Sequence, residues 1–311
     1  VSDTATVLVN PGSGGGLGAR AALAAERAFA AAGVPVRRAV GADASEAARL
    51  AREAVDRGAP ALIAVGGDGL VNLALNAVAG STVPLGVVPA GTGNDLARAL
   101  ELPHRDPGAA AARAAEALAA GRFRTVDLGR VAAAGAAAGA GPDTGAGGWF
   151  GTVLACGLDS RVNDRANRMT WPHGKTRYDL ALLAELAALR PVRFRLALEG
   201  HPGPSELELD ATLIAVGNAT SYGGGMRMCP EARLDDGLFD ITVVGPIGRL
   251  DLVRTVPRLY RGTHLAHPAV SVLRAARVTI EADLTAYADG EPAGRLPLTA
   301  TCVPGAARVL C

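Results

Sequence analysis

The sequence is nearly without lysine: of 31 basic residues, all but Lys175 are arginine. A phosphate clamp in this chain must therefore be built from arginine, backbone amides or a metal ion. That argues against a Walker-type enzyme, whose P-loop lysine reaches the phosphates. Net charge is just as scarce, +1 over 311 residues, and the basic residues are scattered rather than gathered into runs. The electrostatic footprint of a nucleic-acid-binding protein is missing, and no nucleic-acid partner is expected. Only four cysteines occur, Cys156, Cys229, Cys302 and Cys311. They are too sparse for a disulfide framework or a thiolate metal site and read as ordinary core or surface residues. Long apolar runs are absent too: the alanine-rich stretch 109–120 is broken by Arg113 and Glu116, and no run approaches the roughly 20 residues a spanning helix requires. The first strand-like run, 6–9, begins too early to leave a signal peptide's charged and apolar regions. A cytoplasmic location is expected, with any membrane contact peripheral and at the inner face.

What is present is enough apolar residue, 49%, to fill two cores. Residues 1–125 alternate short β-branched runs (6–9, 34–40, 61–65, 85–88) with alanine-rich helical segments (20–32, 45–57, 70–79, 94–100, 109–120), the pattern of a parallel sheet with crossover helices. Ser45 is the expected cap of the second helix. The first half reads as a Rossmann-like α/β domain. Residues 126–311 are β-rich, with strand-like runs at 149–155, 192–199, 206–216, 239–244 and 276–281. Between the halves, 132–148 is almost wholly alanine and glycine and reads as an insertion without chemistry. Leucines at 180, 182, 183, 186 and 189 support a helix over 172–190 lying on the β domain, and 249–262 is a second candidate helix. Arg254, Arg258 and Arg261 on the latter suit either an anionic membrane surface or a solvated face.

Glycine punctuates three strand ends, where a side chain would keep the backbone from approaching a phosphate. These loops are 10–14, 66–69 and 89–95, and three of them at one sheet edge would build one cleft. Asp68, amid such glycines, makes sense if a magnesium ion bridges it to phosphate or if it bonds a nucleotide hydroxyl. A dinucleotide GxGxxG with its acidic residue and a GxxxxGK[ST] are both missing. Taken singly, each glycine loop reads as a plain turn, Asp235-Asp236-Gly237 as a turn before a strand, and Asp289-Gly290 as a hairpin turn.

Taken together, these segments resemble the bacterial diacylglycerol kinase and sphingosine kinase family, whose fold is similar to that of NAD kinases and phosphofructokinases. The likeness runs over nearly the whole chain. The three glycine loops match its nucleotide-binding segments in order. Gly217-Asn218-Ala219-Thr220, 223–226, 230–240 and Asp289-Gly290-Glu291 match the lipid-kinase motifs of its second domain. The resemblance implies a Rossmann-like α/β domain followed by a β-sandwich domain whose last residues pack back on the first. ATP would be held by Asn10, Pro11, Ser13 and Gly14, by Gly66, Gly67, Asp68, Gly69 and Asn72, and by Gly91, Thr92, Asn94 and Asp95. Asp289 and Glu291 would reach the transferred phosphate, one of them as base, with Asp127 as a further catalytic residue that joins the polar network of the Asp235-Asp236-Gly237 turn. A structural magnesium would sit on the Asp236 carboxylate and the carbonyls of Arg233 and Leu238.

The implied reaction is phosphoryl transfer from ATP to a lipid hydroxyl at a membrane surface, with diacylglycerol leading and sphingoid bases or other lipid alcohols as alternatives. The sequence departs from the family at Leu70 and Leu73, where threonine and glutamate are usual, and at Gly41, where some relatives place threonine. These departures motivate an alternative, a nucleotide-binding regulatory protein with weak or lost turnover. An NAD kinase would share the 66–69 loop but not the second-domain motifs. Edge strands of a β-rich domain leave room for a homodimer.

Overall fold

The computed structural model describes residues 3–10, 16–135, 147–171 and 175–311, without the side chains of Lys175 and Asp179. Four short apolar runs form β1 (Ala5–Val9), β2 (Val36–Val40), β3 (Leu62–Gly66) and β4 (Leu85–Pro89), paired in parallel in the order β2-β1-β3-β4. All but the edge strand β2 are buried along their whole length, as continuous apolar strands covered on both faces must be. The covering comes from α1 (Leu17–Ala31), α2 (Ala44–Asp56), α3 (Asp68–Val78), α4 (Asp95–Ala99) and α5 (Pro107–Ala119). Alternate strand residues point to opposite faces: Val7, Ile63 and Val65 pack with α1 and α5, Leu8, Leu62 and Ala64 with α2 and α3. Helix α2 is capped by Asp43 rather than Ser45, its carboxylate accepting from the Glu46 amide at 2.8 Å.

The second half supplies β5 (Arg124–Ala133), β6 (Gly147–Phe150), β7 (Val153–Gly157), α6 (Leu158–Arg168), α7 (Lys175–Ala187), β8 (Val192–Glu199), β9 (Glu206–Ala211), β10 (Leu213–Gly217), β11 (Phe239–Val244), α8 (Arg249–Arg261), β12 (Val270–Ala275), β13 (Arg277–Glu281), β14 (Thr285–Ala288), β15 (Glu291–Arg295) and β16 (Leu298–Val309). One antiparallel sheet runs β12-β11-β10-β7-β14-β15. Its inner face (Leu154, Ile214, Phe239, Ile241) packs on β8, β13 and β16 through Phe194, Leu196, Val278 and Leu298. The other sheet is continuous with the first half. Strand β16 pairs with β5 and β13, and its end meets β4 at Val309 and Leu85, giving the order β2-β1-β3-β4-β16-β13-β8-β9.

Three sequence expectations are corrected. The run 149–155 is two strands, β6 and β7, which belong to different sheets; the break at Gly151 and Thr152 turns their amides toward an aspartate of a distant hairpin. The run 206–216 likewise splits at Thr212 between the two sheets. Helix α7 packs Ala181 and Glu185 inward beside α6 and leaves Leu180, Leu182 and Leu183 exposed, so these three leucines do not lie on the β domain. Close helix packing selects the small-residue face. Most of the alanine and glycine stretch, 136–146, lies outside the described residues. Among those described, no helix is long and apolar enough to cross a membrane.

Asp159, in the first turn of α6, encloses an Oδ2 atom that has no hydrogen-bond partner among the described residues. Burial pushes its carboxyl up to about 6 from 3.8. The folded protein therefore takes up this proton before the unfolded chain does. The buried anion costs stability above about 6, and the cost disappears as pH falls toward 3.8. Asp159→Asn is expected to raise Tm at neutral pH and to narrow the gap to wild type on acidification. Thermal unfolding across that range checks it; a gap that stays constant with pH refutes the buried anion.

Candidate functional site

Strands β3 and β4 end side by side, so the glycine loops that follow them touch backbone to backbone. A Cβ on Gly91 would lie 2.5 Å from the Cα of Gly67, and one on Gly93 would lie 2.4 Å from Asp68 Oδ2. Side chains are excluded there by contact distance. Asp68 fastens the later loop, its Oδ1 accepting from the Asp95 amide at 2.7 Å and its Oδ2 from the Asn94 amide at 2.9 Å. Asn94 adopts a left-handed φ of 54°. Its side chain bonds the Gly91 amide and carbonyl, each at 3.0 Å, and the His104 carbonyl at 2.9 Å. Gly66 closes the base of the loop pair by accepting from the Ala90 amide at 2.8 Å. Thr92 is exposed at the crest, as is Gly69 in the first turn of α3, where the leading amides lack intrahelical acceptors. Asn10 follows β1, its amide bonded to the Val65 carbonyl at 3.3 Å. Pro11, Ser13 and Gly14 lie outside the described residues.

The second domain reaches this edge twice. Gly223, Gly224 and Gly225 all have positive φ, which lets two successive amides, those of Gly224 and Gly225, converge on Asp95 Oδ1 at 3.0 and 3.1 Å. Burial, with Asp68 nearby, pushes the Asp95 carboxyl up, and those two amides oppose the shift. The other contact is the β14–β15 hairpin. Its two-residue turn is Asp289 (φ 51°) and Gly290 (φ 87°), the Asp-Gly pair favoured where both turn residues are left-handed.

Five donors surround the Asp289 carboxylate. Oδ1 accepts from Thr152 N at 2.9 Å, Thr152 Oγ1 at 2.5 Å and Val153 N at 3.3 Å; Oδ2 accepts from Gly151 N at 2.8 Å and Asn72 Nδ2 at 3.2 Å. Glu291, two residues on, is exposed and has no hydrogen-bond partner among the described residues. Its Oε1 lies 3.5 Å from where a Cβ on Gly69 would sit, so it faces the first turn of α3. Asn76, one turn after Asn72, donates to the Trp149 carbonyl at 3.0 Å and accepts from the Trp149 amide at 2.8 Å, tying α3 to β6.

Asp127 on β5 is buried, and its carboxylate bridges two distant amides, Gly237 N at 2.7 Å and Gly305 N at 2.8 Å. The Asn218 side chain donates to the Asp127 carbonyl at 2.9 Å and the Gly151 carbonyl at 3.0 Å, linking this point to the loop that holds Asp289. In the 233–238 turn, Asp236 Oδ1 accepts from Leu238 N at 3.1 Å and Oδ2 pairs with Arg274, which also pairs with Asp240. Burial pushes the Asp240 carboxyl up, and Arg274 opposes it. Arg233 is exposed and pairs with Asp235. Among the described residues no three His, Cys, Asp or Glu side chains gather as a metal cluster. The oxygens of Asp236 and of the Arg233 and Leu238 carbonyls, all from one short turn, nonetheless suit a hard cation by donor type, with Arg274 already compensating part of the charge.

Sequence reasoning missed Asn76, Thr152 and Arg274. Asn76 carried a signal, four residues after Asn72 on one face of α3; Thr152 and Arg274 act through partners far away in sequence and carried none. Leu70 is buried in the first domain's core and Leu73 packs against it, so neither stands as a lone apolar group in the cleft. Gly41 is fixed by contact: a Cβ there would lie 2.6 Å from the Ala47 amide nitrogen.

Comparison with known proteins gives a consistent picture. Residues 4–131 match the diacylglycerol kinase catalytic domain, and residues 152–311 match the YegS C-terminal NAD kinase beta sandwich-like domain. The chain is 45% identical over 306 residues to a diacylglycerol kinase of Mycobacterium tuberculosis, covering 98% of this chain and 94% of that one. It is 29% identical over 259 residues to a diacylglycerol kinase of Bacillus subtilis, covering 82% and 78%. A crystal structure of a diacylglycerol kinase from Bacillus anthracis superposes with TM-score 0.68 at 18% identity, over 99% of this chain and 96% of that one.

The two carboxylates of the hairpin should respond differently to neutralisation. Asp289→Asn sets an NH2 group in a ring made mostly of backbone amides that can only donate and is expected to destabilise by about 2–4 kcal/mol. Glu291→Gln, exposed and unpartnered, should stay within about 0.5 kcal/mol of wild type. Denaturant unfolding of both checks this, and equal losses would refute the assigned roles.

Proposed function

Because the chain belongs to the diacylglycerol kinase-like lipid kinase family, we propose that it transfers the γ-phosphate of ATP to a hydroxyl of diacylglycerol, giving phosphatidic acid. The observation that carries this reading is Glu291, whose unpartnered carboxylate stands just past the Asp289-Gly290 turn and faces the first turn of α3 beside the glycine loops. In the proposed reaction the Glu291 carboxylate takes the proton of the lipid hydroxyl. The hydroxyl oxygen then attacks the γ-phosphorus, and the bond to the bridging oxygen breaks with ADP as leaving group. Phosphoryl transfer needs little covalent help, so positioning and charge neutralisation carry most of the catalysis.

The amides of 67–69 and the exposed Thr92 are the groups left to meet phosphate oxygens once Asp68 and Asn94 have shaped the loop. Asn72 and Asp289 bond each other across the domain boundary and set the height of Glu291 over α3. Asp127 does the same at one remove, so it and Asp68 act as positioning residues rather than through contact with substrate. Magnesium, when bound, would neutralise phosphate charge during transfer, and a structural ion would be held by Asp236 with the Arg233 and Leu238 carbonyls. The burial of Leu70 and the free carboxylate of Glu291 favour turnover over a purely regulatory role. The acceptor would be met at a membrane surface, by a protein whose described helices do not cross the bilayer.

Transfer from labelled ATP with magnesium should label diacylglycerol in mixed micelles, ahead of a sphingoid base and NAD run alongside. Glu291→Gln should lower the rate about 10²- to 10⁴-fold with ATP binding retained. A labelled sphingoid base or NAD alone would replace the acceptor, and unchanged transfer by Glu291→Gln would remove it as base. Magnesium should raise the Tm of wild type over that in chelator, and Asp236→Ala should lose this gain. An equal loss of stability in both buffers removes the ion from that turn.

A further inference from the structure

The hairpin that carries Glu291 is weakly held by its own ladder. Strand β15 lies at the edge of its sheet, pairs among the described residues with β14 alone, and opens on Glu291 followed by Pro292. Proline has no amide to give the ladder. Between the pairs Ala286–Gly294 and Tyr287–Pro292 the register shifts, which leaves Ala293 as the extra residue of a bulge. A bulge bends the strand that carries it and re-aims the side chains beyond. Strand β14 in turn pairs with β7 at two positions, Tyr287–Ala155 and Ala288–Leu154. The direction of Glu291 therefore depends on bonds outside the ladder.

Tyr287, two residues before the turn, supplies one. Its neighbours Ala286 and Ala288 face the sandwich core, so its ring lies on the outer face, where it is only 4% exposed. The row beside it is small, Ala155 on β7 and then Ala215 on β10, which leaves room for the ring beneath α6. The Tyr287 hydroxyl donates to Asp164 Oδ1 at 2.6 Å and accepts from Asn167 Nδ2 at 3.4 Å. These two partners are three residues apart and share one face of α6. The helix itself is seated: the Leu158 amide bonds the Thr212 carbonyl at 2.9 Å, and Ala166 is fully buried. Burial, and after it the Asp164 carboxylate, push the Tyr287 hydroxyl up to about 12 from 10.0, so it stays a donor at neutral pH. A hydrogen bond to a carboxylate is of the strong, charge-assisted kind.

We propose that Tyr287 is a positioning residue for phosphate transfer: by tying β14 to Asp164 of α6 just before the Asp289-Gly290 turn, it sets the aim of the Glu291 carboxylate over the first turn of α3. The inference deepens the reading of Glu291 as the base and rests on it. Asp289 and Tyr287 hold the hairpin from two sides, Asp289 at the tip through Asn72 and the amides of 151–153, Tyr287 at the stem through α6. With the tip alone held, the bulged stem is free to turn about it and carries Glu291 with it. A misplacement of about 1 Å at a reacting group costs about 100-fold in rate.

Tyr287→Phe keeps the ring and removes the bond. It should lower kcat about 10- to 100-fold and leave KM for ATP unchanged. Asp164→Ala should do the same, whereas Asp164→Asn, which keeps an acceptor oxygen for the hydroxyl, should retain most of the rate. In a Glu291→Gln background Tyr287→Phe should cost nothing further, because it acts through Glu291. Hydrogen exchange over residues 285–295 reads the hairpin without ATP or lipid: Tyr287→Phe should exchange about tenfold faster there, and Asp164→Asn should match wild type. Wild-type kcat in Tyr287→Phe, unchanged exchange, or an equal loss of rate with and without Glu291 overturns the proposal, the last by making Tyr287 a general prop of the fold. A wild type that labels no lipid, with Tyr287→Phe still loosening the hairpin, fails the kinase reading and not the tie to α6.

Discussion

Two backbone amides meeting on one buried carboxylate hold this molecule together at its centre. Asp127 accepts from Gly237, in the turn before β11, and from Gly305, at the irregularity that shifts the register of β16 between Val303 and Ala307. Hydrogen bonds to a charged acceptor are each worth about 1.5–3 kcal/mol net, and here they fix three segments separated by more than 60 residues. The shift in β16 lets its first part pair with β13 and β5 inside the sandwich while its end lies against β4. From Asp127 the Asn218 side chain carries the same constraint to Gly151, and from there to Asp289.

The candidate site follows one rule. Asp68, Asp127 and Asp289 each accept amides from loops that are not their own, and so define where those loops stand. An anion that gathers amides in a partly buried setting is both stabilised and immobilised, which suits it to position others. Glu291 lacks such donors, and that difference sets it apart from its supports, as the proposed proton acceptor requires.

Much of the first domain was legible because parallel strands buried on both faces leave short apolar runs between alanine-rich helices. Its boundaries fell within a few residues of the observed elements, and the cap was misassigned at Ser45 because Asp43 also offers an acceptor one turn before Glu46. The second domain was less legible. Strand β16, interrupted by Pro304 and Gly305, was not among the strand-like runs of the sequence; the tertiary bond of Gly305 to Asp127 accompanies its irregularity. The runs 149–155 and 206–216 looked continuous because hydrophobic period does not record a change of sheet. Of the site, glycine loops and the Asp-Gly-Glu hairpin were visible as motifs, whereas the division of labour between Asp289 and Glu291 depends on donors from 72 and 151–153, which spacing cannot show.

Strand β16 also sets an order of events during synthesis. The edge of β4 finds its neighbour only when residues near 309 arrive, yet β4 itself emerges more than 200 residues earlier. At about 5–20 residues per second, the nascent first domain carries an unpaired strand edge for tens of seconds or less, the kind of edge that templates association between chains. Until the second domain has emerged and returned its last strand to the first, that edge of β4 has no native partner.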